Sequence, residues 1–149
     1  GDILYHGPRN DLPKDYAPKK VIEILNGMKE ELLCIRGNCD CEVDQMVLKF
    51  PILADYAAFW LGDLMVWATH GHVYNMNNLP PFKKGDVLLH GHTHIPAAQS
   101  FGDGYYYINP GSLSIPKEGS KNSYMILEGR TFTLKSVEDG SVISSFTVE

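Results

Sequence analysis

The sequence of 149 residues predicts an α/β fold organised as a single domain, 1–149. An amphipathic helix that begins at Pro18 precedes the apolar run 32–36, which is typical of a buried parallel strand. Two further apolar runs, 64–68 and 87–89, stop at polar stretches rich in Gly and His. In open α/β sheets, functional groups collect at the carboxyl ends of the strands. The pattern therefore predicts both the fold class and a site along one edge of the sheet.

The individual elements follow from periodicity and turn signals. Val21, Ile22, Leu25 and Met28 recur at helical spacing, so the first helix has one apolar stripe. The remaining elements are a short helix over 42–48, a hairpin turning at Gly62 and Asp63, a long connection over 73–85 with a short helical piece, a hairpin turning at 102–104, and an antiparallel meander with strands near 125–127, 132–134 and 142–143.

The composition excludes several classes of protein. Hydrophobic residues make up 44% and charged residues 21%, which suits one globular domain with its own core. Thirteen Lys and Arg against eighteen Asp and Glu give a formal charge of -5, so we expect no binding of duplex nucleic acid. No apolar run is long enough for a membrane span, and the first residues do not resemble a signal peptide. We therefore expect a soluble, cytoplasmic protein that binds no membrane.

Three cysteines, Cys34, Cys39 and Cys41, lie within eight positions of one another. An odd, clustered set indicates reduced thiols rather than a framework of disulfides. Cys39 and Cys41 could form a thiolate pair for a metal ion, but no second cysteine pair completes the usual tetrahedral set.

A stronger candidate for a metal site follows the apolar run 87–89, where three histidines occupy five positions. An H-x-H alone is more often part of a surface loop, so the other strand ends decide. They add oxygen and nitrogen donors, a mixture that suits Mn²⁺, Fe²⁺ or Zn²⁺ better than Ca²⁺. The collected candidates are Asp2, Asn38, Cys39, Asp40, His70, His72, His92, His94 and Asn109.

Four motifs, in this order, resemble those of the calcineurin-like metallophosphoesterases: Gly1-Asp2, Gly37-Asn38-Cys39-Asp40, Thr69-His70-Gly71-His72 and Gly91-His92-Thr93-His94. Residues 6–10, 42–46 and 109–112 resemble the bacterial YfcE-like phosphodiesterase subfamily more closely. The resemblance implies a four-layer α-β-β-α sandwich with the ligands on loops at one edge. It also implies that the opening βα unit and most of the second strand, on the order of 30 residues, precede Gly1.

The resemblance further implies a ligand set and a mechanism. Asp2 matches the carboxylate that bridges two metal ions; Asn38, His70 and His92 match the other ligands of one ion, and His94 matches a ligand of the other. Hydrolysis would use two metals and a bridging hydroxide that attacks phosphorus in line. We expect manganese, with zinc, iron or nickel as alternatives. Because the family's Asp-x-His motif is missing from these residues, we expect this chain to bind one ion more readily than two, and its activity to be impaired.

Substrate contacts are also carried over from the resemblance. Cys39 stands where most of the superfamily has a His beside the phosphate, and a thiol is a weak hydrogen-bond donor. We therefore expect small phosphodiesters rather than monoesters as substrates, and a Cys39 that is not the nucleophile. Arg9, Cys39 and His72 are the expected substrate contacts. The expected catalytic residues are Asp2, Asn38, Cys39 and His70.

Three neighbours have supporting roles in this interpretation. We expect Asp40 to orient a ligand His, His90 to lie in or on its strand, and Asn109 to shape its loop. The competing function is a metal-poor or inactive binding scaffold, like the retromer subunit that shares the fold. Apolar residues exposed along 32–35 would favour a homo-oligomer.

Overall fold

The computed structural model describes residues 1–149. Two α-helices and a single 3₁₀ turn lie in the first third of the chain: α1 (Pro18–Gly27), the turn Lys29–Glu31, and α2 (Glu42–Val47). Eight strands follow: β1 (Tyr56–Leu61), β2 (Leu64–Thr69), β3 (Val87–His90), β4 (Ala97–Phe101), β5 (Tyr105–Asn109), β6 (Ser123–Glu128), β7 (Thr131–Ser136) and β8 (Val142–Thr147). The predicted mixture of helices and strands, both hairpins and the C-terminal meander are present. Both helices are too short to span a membrane.

The strands form two sheets. The larger has the order β1-β2-β3-β5-β4, with β2, β3 and β5 parallel and the two edge strands antiparallel to their neighbours. The smaller is the antiparallel meander β6-β7-β8. The parallel centre of the larger sheet brings the carboxyl ends of β2 and β3 to the same edge, where Thr69 lies opposite His90.

The main core lies between the two sheets. Val66, Val87 and Ile108, from the three parallel strands, are completely buried. They pack in one cluster with Phe132 of β7 and with Val148 just beyond β8. Apolar residues that alternate along β7 therefore close the inner side of the larger sheet.

A second, smaller core forms under α1. Four buried residues, Leu4, Leu48, Phe50 and Ile52, make its centre. The stripe predicted for α1 packs against it through Val21, Ile22 and Leu25, which are partly buried. Ile3 and Cys34 also pack against this cluster, and they are close in sequence to two of the candidate ligands, Asp2 and Asn38.

Two predicted elements are wrong. Residues 32–36 are extended but form no ladder, and their single backbone hydrogen bond runs from the Arg36 N–H to the Ala54 carbonyl, 2.8 Å. A strand needs a hydrogen-bonded neighbour, and no other strand of the chain pairs with residues 32–36. Leu33 is accordingly 68% exposed. The connection 73–85 contains no helix. Asn75 and Asn78 instead close a tight turn by exchanging two backbone hydrogen bonds of 3.1 Å.

We predict that Ile108→Ala lowers the free energy of unfolding by about 2–5 kcal/mol, because it leaves a cavity between the sheets. Urea denaturation measures the change. Ile143→Ala in the edge strand β8 is the matched control, since Ile143 is 42% exposed and its loss should cost about 1 kcal/mol or less. Equal costs for the two variants would contradict this description of the core.

Candidate metal centre

Four side chains from four separate segments meet at one atom, Nε2 of His70. This nitrogen lies 3.1 Å from Oδ1 of Asn38, 3.2 Å from Nδ1 of His92 and 3.4 Å from Oδ2 of Asp2. His70 directly follows β2, and His92 follows β3, so the parallel pairing of those strands places the two rings together. The chain thus gathers two nitrogen and two oxygen donors at the edge that the sequence predicted.

The chemistry of this donor set fits a divalent metal ion. An ionised carboxylate and an amide oxygen only accept hydrogen bonds, and each neutral imidazole carries a single proton. The three contacts to Nε2 of His70 therefore cannot all be hydrogen bonds, and lone pairs converge there. Ligands held at ~2.1 Å from one ion lie roughly 3.0 Å apart in an octahedron and 3.4 Å apart in a tetrahedron, which matches the three observed distances. The amide oxygen of Asn38 is an essential member of this set. The His, Cys, Asp and Glu side chains alone form no group of three that could hold an ion.

The protonation states also suit ligands. Burial lowers the pKa of His92, and the neighbouring His70 lowers it further. Burial and then the positive charge of Lys117 lower the pKa of His94. Burial raises the pKa of Asp2, but the hydrogen bond with His70 and the one from the Cys39 N–H outweigh it and bring the value to about 2. At neutral pH the site therefore offers the neutral imidazoles of His92 and His94 and the ionised carboxylate of Asp2.

Asp40 holds the two oxygen donors in place. Its buried carboxylate accepts hydrogen bonds from three backbone N–H groups: Oδ2 from Asp2 and Gly37, at 2.8 and 2.7 Å, and Oδ1 from Ile3, at 2.8 Å. The prediction that Asp40 orients a His is wrong, because both carboxylate oxygens are occupied by backbone. Gly37 is required at this crossing, since a Cβ there would collide with the backbone and carboxylate of Asp2.

Asn38 is oriented by its neighbour. Its side-chain amide donates to Sγ of Cys39 at 3.2 Å, which turns Oδ1 toward His70. The Cys39 N–H in turn donates to Oδ1 of Asp2 at 2.9 Å. Burial and the charge of Asp2 raise the pKa of the Cys39 thiol to about 11. Cys39 is therefore a protonated thiol at neutral pH in this arrangement.

The loop that carries His92 and His94 is held by Asn109, which is completely buried. The side-chain amide of Asn109 donates to the Gly91 carbonyl at 3.1 Å and to Oγ1 of Thr93 at 2.9 Å, as expected for a residue that shapes the loop. His92 and His94 both have positive φ, 66° and 62°, a conformation that fixed contacts must maintain. His90 is buried in the strand end, as predicted.

His94 does not join the contacts at His70. Its Nδ1 donates to the carbonyl of Ile115 at 3.0 Å, which leaves Nε2 with the free lone pair. His72 is exposed, and its ring lies edge-on to that of His70 at 5.3 Å between centroids. The two histidines of the H-x-H motif thus have separate neighbours: His92 contacts His70, and His94 contacts the carbonyl of Ile115.

A cavity of about 380 Å³ lies in front of these donors and has no apolar residue in its lining. Of the three predicted substrate contacts, Arg9 lines the cavity, whereas Cys39 and His72 do not, and their contact with a substrate stays a prediction. Lys117 was missed by the sequence analysis, because a single lysine in a Gly- and Ser-containing loop gives no signal of its place in the fold. The complete lining is Asp2, His6, Arg9, Asn10, Asn38, His92, Thr93, His94 and Lys117.

Comparison with known sequences gives a consistent result. The calcineurin-like phosphoesterase superfamily domain matches residues 13–131. Phosphodiesterase YfcE of Escherichia coli strain K12 is 45% identical over 148 residues, which are 99% of this chain and 80% of the relative. The probable metallophosphoesterase YsnB of Bacillus subtilis strain 168 is 27% identical over 138 residues, 72% of this chain and 81% of the relative.

Comparison with solved structures confirms the predicted fold type. The structure of YfcE, a phosphoesterase from E. coli, matches 100% of this chain and 81% of its own with a TM-score of 0.95 and 44% identity. A Vps29 variant from Entamoeba histolytica matches 97% of this chain and 95% of its own with a TM-score of 0.50. At 19% identity, the second likeness concerns the fold alone.

We predict that Asp40→Asn lowers the free energy of unfolding by about 1.5–3 kcal/mol, because an amide replaces a charged acceptor of three N–H groups. The same change should weaken the binding of Mn²⁺, although Asp40 makes no contact with His70. Urea denaturation and calorimetric titration measure the two effects. Asp103→Asn, at an exposed turn, is the control and should alter both by little. An Asp40→Asn protein with unchanged stability would contradict the conclusion that the Asp40 carboxylate holds the segments of Asp2 and Asn38 together.

Proposed function

The chain belongs to the calcineurin-like phosphoesterase superfamily, and we propose from this premise that it hydrolyses small phosphodiesters at a divalent-metal centre. The observation that carries the proposal is the convergence of Asn38, His92 and Asp2 on Nε2 of His70 at ligand-to-ligand distances. The naming of its 45% identical relative as a phosphodiesterase supports the substrate class. The cytoplasm is the compartment we propose, on the basis of three free cysteines.

Asp2, Asn38, His70 and His92 would hold one metal ion, and Asp2 and His94 are the proposed donors toward a second. We propose manganese, with zinc, iron or nickel as alternatives, because two oxygen and two nitrogen donors suit a divalent transition-metal ion. A bound divalent ion supplies Lewis-acid stabilisation of the phosphoryl oxygens and lowers the pKa of water, the nucleophile in this chemistry.

The protein's own residues bind and orient the substrate. Arg9 lines the cavity and can donate two parallel hydrogen bonds to phosphoryl oxygens. His72 stands exposed beside the ring of His70, where it can contact an ester arm. The Cys39 thiol lies next to Asn38 and Asp2, so it can donate one weak hydrogen bond to the phosphate. It cannot act as a strong acid toward the leaving group. A substrate whose leaving group departs without a strong acid suits this site, which favours phosphodiesters with stable leaving groups.

The scaffold function shares the fold but needs none of these donors. The likeness to Vps29 extends to the fold alone, whereas the convergence of donors at His70 supports a metal-dependent enzyme. The enzyme is therefore the function that the site supports better.

The test is hydrolysis of bis(p-nitrophenyl) phosphate by the 149-residue chain, together with calorimetric titration of Mn²⁺. We expect hydrolysis that a chelator abolishes and Mn²⁺ restores. Asn38→Ala should lose more than about 100-fold in kcat/KM and weaken Mn²⁺ binding, since it removes a ligand. Asn77→Ala, an exposed asparagine outside the site, is the control. A chain that neither binds Mn²⁺ nor hydrolyses the ester would be better described as a scaffold.

We predict that Cys39→Ser keeps kcat/KM within about tenfold of the parent chain, because a protonated thiol is not the attacking group and a hydroxyl can donate the same hydrogen bond. The same p-nitrophenyl assay measures it. Asn38→Ala serves as the inactive reference. Complete loss of activity in Cys39→Ser, with Mn²⁺ binding intact, would assign Cys39 a covalent role and contradict the prediction.

A further inference from the structure

Two positively charged side chains line the cavity without a partner. Arg9 and Lys117 belong to distant parts of the sequence, yet both border the same space of about 380 Å³. Neither forms an ion pair, and neither side chain makes a hydrogen bond within the chain. The ion pairs of the structure are Lys29 with Glu30, His70 with Asp2, and Arg130 with Asp63. In a chain with a formal charge of -5, two free cations beside one cavity mark a local positive potential.

The backbone around Lys117 fixes this residue at the cavity. Its N–H donates to the carbonyl of His94 at 3.1 Å. Its own carbonyl accepts from both the backbone N–H and the hydroxyl of Ser120, at 3.0 and 2.6 Å. Every one of these bonds uses the main chain of Lys117, so its side chain contributes nothing to the loop. The side chain is available for a ligand.

The loop of Arg9 is built in the same way. The side chain of Asn10 donates to the carbonyl of His6 at 2.8 Å, and Gly7 adopts a φ of 88° in contact range of Sγ of Cys39. A Cβ at Gly7 would lie 3.1 Å from that sulfur, so the loop passes close to the site. The loop therefore brings Arg9 to the cavity, and its guanidinium has no partner within the protein.

The two cations lie at different sides of the donor cluster. Lys117 is beside His94, because its backbone N–H donates to the His94 carbonyl. Arg9 is on the side of Cys39, because Gly7 of the same loop lies close to Sγ of Cys39. Arg9 can reach a phosphate that is bound at the His70 cluster. The ammonium of Lys117, on the side of His94, is then free to bind a second anionic group.

We propose that Lys117 forms a subsite for a second phosphate, next to the scissile phosphate that Arg9 contacts, so that the preferred substrates are phosphodiesters with a further phosphate on the alcohol arm. The inference rests on the proposed function and names its substrate class. A guanidinium binds phosphate through parallel hydrogen bonds and an ammonium binds it as a point charge, and both forms of recognition are provided here.

A matched pair of substrates tests the subsite: thymidine 5′-(p-nitrophenyl phosphate) and its 3′-phosphorylated derivative, which differ by one phosphate. We expect the parent chain to have a kcat/KM at least about tenfold higher for the 3′-phosphorylated ester, mainly through KM, the size of one charged hydrogen bond. Lys117→Met should bring the ratio close to one, and Lys117→Arg should restore part of it. The preference should fall as salt is raised, because the contact is charged and open to solvent.

Lys121→Met is the control, since it removes the same charge from the same loop at a position outside the cavity lining. It should leave the ratio as in the parent chain. A ratio near one in the parent chain, or a ratio unchanged by Lys117→Met, would overturn the proposal.

A binding measurement separates this subsite from the proposed activity. In the presence of a chelator, calorimetry compares thymidine 3′,5′-bisphosphate with thymidine 5′-phosphate on the same chains. Tighter binding of the bisphosphate by about tenfold, lost in Lys117→Met but not in Lys121→Met, supports the subsite even if neither ester is hydrolysed, in which case the proposed function alone fails. Equal affinities for the two nucleotides reject the subsite whether or not the chain is active.

Discussion

The carboxylate of Asp40 is the interaction on which the candidate centre depends. It accepts three backbone N–H groups and so joins the segment of Asp2 to the segment of Asn38. Those two segments form no ladder with each other, and a charged acceptor is the contact that fixes their spacing. The nitrogen donors need no such clamp, because hydrogen-bonded parallel strands already set the positions of His70 and His92. Sheet geometry thus positions the two nitrogen donors, and one buried carboxylate positions the two oxygen donors.

The structure also concentrates conformational strain at this edge. Five residues other than glycine have positive φ, and three of them are proposed donors, Asp2, His92 and His94. Each such conformation costs on the order of 1 kcal/mol and persists only where other contacts impose it. Here the contacts are those of Asp40 and Asn109, together with the bond from His94 to the Ile115 carbonyl. A metal that bridges the converging lone pairs would offset this cost and the mutual repulsion of the donors.

Charge is distributed in a way that the net value conceals. The chain is acidic as a whole, yet the cavity in front of the donors combines one carboxylate, Asp2, with two unpaired cations, Arg9 and Lys117. Histidines with lowered pKa values add donor atoms to this space without adding charge. An anionic substrate is therefore attracted locally although the overall surface repels polyanions.

The order of elements, the strand ends that carry polar side chains and the mixed donor types could all be predicted from sequence, because apolar runs and the Gly, His and Asn residues that end them are local features. Residues 32–36 show the limit: their apolar pattern is that of a strand, but a strand exists only with a neighbour. Asp40 and Lys117 show a second limit of sequence-based prediction. The carboxylate of Asp40 accepts hydrogen bonds from backbone N–H groups of a distant segment, and Lys117 reaches the cavity only after the chain has folded. Residue types and their order along the chain were enough to select candidate ligands and the class of chemistry. That these candidates meet at His70 follows only from the folded chain, because the spacing of the donors depends on strand pairing and on one buried carboxylate.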